Sequence, residues 1–387
     1  MRLLHTSDWH VGKKIRGHSR HDEHVAVLGE IVGIAEERSV DVVLVAGDLF
    51  ETASPPAEAE DLVYRTLLAF ARSGAHVAVI AGNHDNARRL AAVGPLLELG
   101  NIHLLTEAAP PDAGGMRTID VDGVALNLAM LPFVSQRGIV RATQLMDQAA
   151  FEHANAYAAR VQTLLKLLSE PFSPDAVNVI MAHAFVQGGS IGGGERLAHL
   201  VEEYAVKAQS FPASASYVAL GHLHSAQQIA GPAPIHYCGS PLQLDFGDSE
   251  QAKQVKIVDV EPRAPATVDA VRLSRGLALR TLRGTLEEVR SAAETDSAMD
   301  NPPWLRVRLD EPRRAGLADD VRNLLGDRVV DVQITQANEV TNKGPQRCTG
   351  RDPVDLFGDY LSELGIDDEQ IKTLFLELLE DELGTTP

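Results

Sequence analysis

Apolar residues in this chain gather into short runs, and five of those runs end in a polar residue able to hold a metal or a phosphate. Arg2 to Thr6 leads into Ser7-Asp8-Trp9-His10, Asp41 to Ala46 into Gly47-Asp48, and His76 to Ala81 into Gly82-Asn83-His84-Asp85. Val177 to Ala182 ends in His183, and Tyr217 to Leu220 runs into Gly221-His222-Leu223-His224. Runs of this length bounded by turn formers read as buried strands. Between the first three, apolar residues recur at helical spacing. Val25, Leu28, Ile31, Val32 and Ala35 do so in His24 to Glu37, and Val63, Leu67 and Phe70 do so after Pro55-Pro56-Ala57. The order β-α-β-α-β predicts parallel strands joined by helical crossovers. Open α/β sheets of this kind carry their ligands at the carboxyl ends of the strands, where these polar residues fall.

After Pro95 the pattern predicts shorter strands. Arg117 to Val121 and Val124 to Met130 flank Asp122-Gly123, a hairpin signal. Thr143 to Leu168 has no proline and predicts one long surface helix. The Gly-rich stretch Gly188 to Gly194 lacks the Lys-Ser or Lys-Thr of a phosphate-cradling loop and reads as a flexible loop. Ile235 to Pro241 and Gln254 to Val260 close the β-rich part, and Pro262 to Pro265 reads as a linker. Beyond about Leu277 the chemistry-bearing residues stop. Leu277 to Leu282, Leu286 to Ala293, Trp304 to Leu309, Leu317 to Leu325 and Val329 to Ile334 alternate as strand and helix, predicting a small α+β domain. Two amphipathic helices follow, with Phe357, Tyr360, Leu361 and Leu364 on one face and Ile371, Leu374, Phe375, Leu378 and Leu379 on the next.

With 387 residues, 44% of them hydrophobic, the chain can build a substantial core and more than one domain. Its two cysteines, Cys238 and Cys348, stand in no metal-ligand pattern, which fits a reducing compartment. No run approaches the roughly 18 apolar residues of a membrane span, and the start of the chain has no signal-peptide segment, so a cytoplasmic protein is expected. The formal charge of -19 disfavours tight nonspecific binding to duplex DNA by the chain alone. The basic run Lys13, Lys14, Arg16 and Arg20 reads first as solvated surface, although it leaves directly from the first polar strand end. His18, His21 and His24 read as lining a helix start.

Asp8, His10, Asp48, Asn83, His183, His222 and His224 thus converge on one end of a sheet. Asp8-x-His10 and His222-x-His224 are spaced to share one side of an extended segment. Mixed carboxylate, amide and imidazole donors suit Mn²⁺, Fe or Zn²⁺, and the lack of thiolate argues against structural zinc. Seven groups exceed the needs of one ion. Two ions bridged by a carboxylate would activate water and stabilise charge on a phosphoryl group, which is the chemistry of phosphoester hydrolysis.

The ordered set Asp-x-His, Gly-Asp, Gly-Asn-His-Asp, His and Gly-His-x-His, spanning Asp8 to His224, resembles the calcineurin-like metallophosphoesterases. Ser7 to Lys13, Gly47 to Phe50 and Gly239 to Gly247 narrow the resemblance to bacterial DNA nuclease subunits that work with an SMC-like ATPase. The resemblance implies a four-layer α/β/β/α core over 1-265, a capping α+β domain at 270-337 that touches DNA, and a helical hairpin at 352-383 that grips the ATPase. It implies two metal ions, manganese by family preference. Asp8, His10, Asp48 and His224 would hold one, and Asp48, Asn83, His183 and His222 the other. His84 would act on the scissile phosphate, with Asp85 orienting it. It further implies a dimer of nuclease subunits acting on DNA ends, hairpins and single strands. The same metals cleaving a small phosphodiester, or a non-catalytic DNA-end scaffold, are the competing readings.

Overall fold

The computed structural model describes residues 1–135, 157–192, 195, 205–248, 251–297 and 301–334, with Phe357, Leu361, Ile371, Leu374 and Phe375. The chain opens with β1 (Arg2–Thr6), a ribbon of β2 (Lys14–Ile15) and β3 (His18–Ser19), then α1 (His21–Glu37), β4 (Val42–Val45), α2 (Ala57–Arg72) and β5 (His76–Ile80). It continues through α3 (Ala87–Glu98), β6 (Ile102–Leu105), β7 (Met116–Val121), β8 (Val124–Leu131), α4 (Tyr157–Ser169), β9 (Val177–His183) and β10 (Tyr217–Gly221). The short β11 (Gln227–Ile229) and β12 (Ile235–Tyr237) precede β13 (Gln254–Asp259) and β14 (Thr267–Arg272). Last come β15 (Leu279–Gly284), α5 (Leu286–Ser297), β16 (Trp304–Leu309), α6 (Leu317–Leu325) and β17 (Val329–Ile334).

Two six-stranded sheets, ordered β14-β13-β1-β4-β5-β6 and β11-β12-β10-β9-β8-β7, pack face to face. In the first, β1, β4, β5 and β6 run parallel; in the second, β8, β9, β10 and β12 do. Alternation along each strand sends one set of side chains inward and the other outward. Leu3, Leu44 and Ile80 meet Leu128, Met130, Val179 and Ala219 between the sheets. The outward set of the first sheet, including Leu4, Val43 and Val77, packs on Val27, Ile31, Val63 and Phe70 of α1 and α2. Ile180 and Leu220 on the far face of the second sheet pack on Val161, Leu164 and Leu168 of α4. Burying each such side chain stabilises the fold by about 1.5–3 kcal/mol. The result is the expected four-layer α/β/β/α arrangement.

Several local expectations give way to longer-range pairing. Gly94 and Pro95 break the helical pattern, yet α3 forms across them, started by Asn86, whose side chain accepts from Arg89 N at 3.0 Å. β6 then pairs with β5. The stretch expected to be a linker at Pro262–Pro265 is a turn, because β14 pairs antiparallel with β13 and carries the first sheet to Arg272. Within the span expected to form one long surface helix, Tyr157–Ser169 is helical and buries its apolar face; residues 143–156 lie outside the described set. The strands of the small unit, ordered β15-β16-β17, are all parallel, so it is a βαβαβ crossover. Most of the helical pair expected at 352-383 also lies outside the described residues; within it Phe357 and Phe375 stack with ring centroids 3.9 Å apart.

A buried ion pair joins this small unit to the first sheet's helices. Glu23 accepts from Arg20 Nε at 2.9 Å and Nη2 at 2.6 Å, from Trp304 Nε1 at 2.8 Å and from Leu277 N at 2.9 Å. Arg20 also donates to the Gln243 carbonyl. Arg306 lies over the Phe246 ring at 4.1 Å, extending the contact.

Candidate metal centre

β1, β4, β5, β9 and β10 deliver their polar residues to one buried cluster, as the run-ends predict. Asp8, His10, Asp48, His84, Asp85, His183, His222 and His224 are all buried. The backbone reaches this arrangement in a conformation other than the extended one expected for Asp8-x-His10. Asp8, His10 and Asp48 have φ of 53°, 49° and 53°, and His222 has φ 107°. Non-glycine residues in this region are strained, and such strain gathers where side-chain placement matters more than local stability. Two glycines allow the strand ends to meet. A Cβ on Gly82 would stand 2.1 Å from Asp48 Oδ1, and one on Gly221 would stand 1.9 Å from the Ala46 carbonyl oxygen.

The donors fall into two sets around one oxygen. His10 Nε2 and His224 Nε2 face each other at 3.1 Å, and Asp8 lies within reach of both. Asn83 Oδ1 lies 3.0 Å from His183 Nε2 and 2.9 Å from His222 Nδ1. Asp48 Oδ2 sits between them, 3.5 Å from His10 Nε2 and 3.4 Å from His183 Nε2. His222 and His224 therefore turn to different sets instead of sharing one side. Asp48 Oδ1 is held by the His84 amide at 2.8 Å, and Asp8 is held by the Ser7 hydroxyl and the His222 amide.

Hydrogen bonds behind the cluster orient its imidazoles. His10 Nδ1 donates to Glu51 at 3.0 Å, and His183 Nδ1 donates to the Ala46 carbonyl at 2.8 Å, so each turns Nε2 toward the centre. His84 Nδ1 donates to the Glu51 carbonyl at 2.8 Å. The expected orienting contact from Asp85 to His84 is not formed. Asp85 instead accepts from the amides of Leu49, Phe50 and Gly82 at 3.2, 3.0 and 2.9 Å, tying the Asp48 turn to the Asn83 turn. Sequence reasoning missed Glu51, whose carboxylate joins His10 to Lys13, and Glu195, which accepts from the His224 amide at 3.1 Å. It also missed Lys253, whose ammonium donates to the His224 carbonyl at 3.0 Å. Glu51 sits three residues past Asp48, a signal that was legible; Glu195, next to the Gly-rich stretch, gave none.

Charge in the cluster is tightly coupled. Burial pushes Asp8 up to about 7, with neighbouring Asp48 adding to the effect and His183 opposing it. Burial resists charge on His183, but Asp48 and Asp8 outweigh it and lift the imidazole to about 9. Burial also opposes charge on Asp48, yet the surrounding imidazoles hold it well below the usual range. His10 is lowered to about 3 by burial, so its bond to Glu51 is an N–H donated by a neutral ring. Glu51 is held near 2 because His10 and Lys13 outweigh its own burial. A cluster with facing imidazole nitrogens and a carboxylate oxygen between two donor sets has the donor chemistry of a divalent-cation site, at which a cation would have to displace the proton held on His183.

Residues 1–226 match the model of the calcineurin-like phosphoesterase family. The SbcD component of the Bacillus subtilis nuclease SbcCD is 33% identical over 98% of this chain and 97% of its own length. The chain belongs to the SbcD family of calcineurin-like phosphoesterases. The Escherichia coli K12 SbcD is 29% identical over 80% of this chain and 78% of its own. A solved Danio rerio dimetal phosphatase covers 70% of this chain and 99% of its own with a TM-score of 0.40 and 11% identity. As a member of the SbcD family, the chain is a metal-dependent phosphodiester hydrolase. No described helix is long and apolar enough to cross a membrane.

Proposed function

We propose that the chain is the nuclease component of a cytoplasmic SbcCD-type complex. It hydrolyses DNA phosphodiester bonds as a 3'-5' exonuclease on double strands and an endonuclease on single strands and hairpins. The observation that carries this reading is one Asp48 oxygen standing between two separate donor sets. Asp8, His10, Asp48 and His224 would hold one divalent ion, and Asp48, Asn83, His183 and His222 the other, with Mn²⁺ the metal the proposal favours. Such a pair supplies Lewis-acid stabilisation of the phosphoryl charge and a more acidic water. The chain's own residues do the rest. Glu51 keeps His10 in the tautomer that offers Nε2. His84, fixed through Nδ1 by the Glu51 carbonyl, presents Nε2 to the scissile group and, once protonated, donates to the leaving oxygen. Asp85 acts through the two turns it ties together.

Residues 1-265 form the nuclease unit, with β14 completing its sheet to Arg272, and the remainder of the 270-337 unit caps the DNA. Residues 352-383 bind the SbcC ATPase, and two copies assemble as a homodimer within a heterotetramer. Nine acids against Lys372 in Asp359 to Glu382 give that segment an acidic border suited to a basic-flanked partner helix. DNA affinity then belongs largely to the complex, which accommodates the charge of -19. The test is cleavage of labelled single-stranded and hairpin DNA with Mn²⁺ beside a generic phosphodiester, comparing wild type with His84→Ala. DNA cleavage that is lost in His84→Ala with metal content intact supports the proposal. Turnover of the small diester alone would favour a small-molecule phosphodiesterase.

A further inference from the structure

The layer between the two sheets is apolar through its middle, where Leu3, Leu44, Met130 and Val179 meet. Its composition changes at the edge where β11 and β12 face β13 and β14. Lys256 alternates in phase with Val258, which lies in the inter-sheet core, so its side chain enters the same layer. His236 stands between Ile235 and Tyr237, both packed on the outer face, and so points inward as well. Lys256 and His236 are each only 8% exposed. With Gln228, Pro234, Ala266 and Val268 they line an opening of about 380 Å³.

Among the described residues, no acid within the layer balances these bases. No hydrogen bond from a described residue reaches His236 Nδ1, and its ring stacks on Tyr217 at 5.5 Å. Asp269, one strand away, is exposed and pairs with Arg38 at 3.8 Å. His5, deeper in the layer, is occupied by the Tyr217 hydroxyl at 3.0 Å and the Leu220 carbonyl at 3.1 Å. Burial and Lys256 bring His236 down to about 4, and burial with His236 brings His5 down to about 3. Burial lowers Lys256 too, although Cys238 and Asp269 oppose the shift. The Lys256 stem is buried while its ammonium reaches the opening with no carboxylate partner among the described residues, and a bound anion would supply the missing counter-charge.

We infer that this edge of the sandwich is a binding site for a phosphate-sized oxyanion, held by Lys256, His236 and Gln228. The apolar wall of Pro234, Ala266 and Val268 leaves room for a body attached to the anion, so the group arrives either as inorganic phosphate or as the phosphate of a mononucleotide. The site lies in the inter-sheet layer at β11–β14, apart from the metal donors, and does not depend on which diester the chain cleaves.

Equilibrium dialysis of labelled inorganic phosphate against the full-length, Mn²⁺-loaded chain tests it, with a nucleoside 5'-monophosphate as competitor. Wild type is expected to show a class of phosphate sites that Lys256→Met weakens by about tenfold or more, the equivalent of one charge-assisted hydrogen bond. Lys256→Met should leave Mn²⁺ content and diester hydrolysis unchanged, whereas His84→Ala should lose hydrolysis and keep this phosphate class. Tighter binding of the monophosphate than of phosphate identifies a nucleotide source; equal binding identifies the free ion. Should Lys256→Met fail to fold, Lys256→Arg must retain the class and Gln228→Ala weaken it. Identical phosphate binding by wild type and Lys256→Met, or by wild type and Gln228→Ala where that variant is used, would overturn the inference.

Discussion

Stripping divalent ions from the chain and adding Mn²⁺ back should release protons in an amount set by His183 and Asp8. At pH 7 the His183 imidazole, lifted to about 9, holds nearly a full proton, and Asp8, pushed up to about 7, holds about half of one. A cation bound through His183 Nε2 and Asp8 displaces both, a release of roughly 1.5 protons per chain at pH 7 and about half a proton at pH 9. Calorimetric titration in two buffers of different ionisation enthalpy measures that number directly. The same shifts carry a stability signature in the metal-free chain. The folded-state pKa of His183 is raised, so its contribution, about 3 kcal/mol, is fully present below the unfolded value near 6.5 and is lost as pH rises through 9. Asp8, also raised, contributes stability that is present below pH 4 and lost as pH rises through 7. The unfolding midpoint of the chelated protein should therefore fall from pH 6 to 10, while the Mn²⁺-loaded protein holds its midpoint over that range. Proton release that is zero, or that does not decline between pH 7 and 9, would refute the charge assignment of the cluster.

Two substitutions test the supports around the site. Glu51→Gln removes the carboxylate that accepts from His10 and pairs with Lys13 at 2.7 Å, and Mn²⁺ affinity should drop about 10–100-fold in a metal titration; unchanged affinity would mean that His10 needs no such partner. Glu23→Ala leaves the Arg20 guanidinium buried without its carboxylate and frees the Trp304 and Leu277 donors, so urea unfolding should show a loss of about 3–5 kcal/mol, and a loss under about 1 kcal/mol would mean that water replaces the pair.

Much of the site was legible because each of its residues follows a hydrophobic run. Val42 to Val45, wholly buried, announces a strand, and a strand of a parallel sheet must deliver Asp48 at its carboxyl end. The same logic applies to Asn83, His183 and His222, whose strands β5, β9 and β10 are apolar on both faces because both faces are covered. Local pattern also predicted the strand and helix order of the small unit after Leu277.

Only the tertiary structure decided which donors meet. Residues 214 positions apart, His10 and His224, come within 3.1 Å, while His222 and His224, two apart, turn to different sets. Sequence spacing assumes regular backbone, and the left-handed φ values at Asp8, His10 and Asp48 exist because the surrounding sheets hold them there. The role of Asp85 likewise depended on three amides from two different turns. At Lys256 a charged residue in a strand reads locally as solvent-facing, and burial arises only once the second sheet closes over β13. Hydrophobic periodicity determines which elements form, because burial is a property of each strand or helix face. Which polar groups share a site is determined by strand order and sheet packing, and those depend on contacts between residues far apart in the chain.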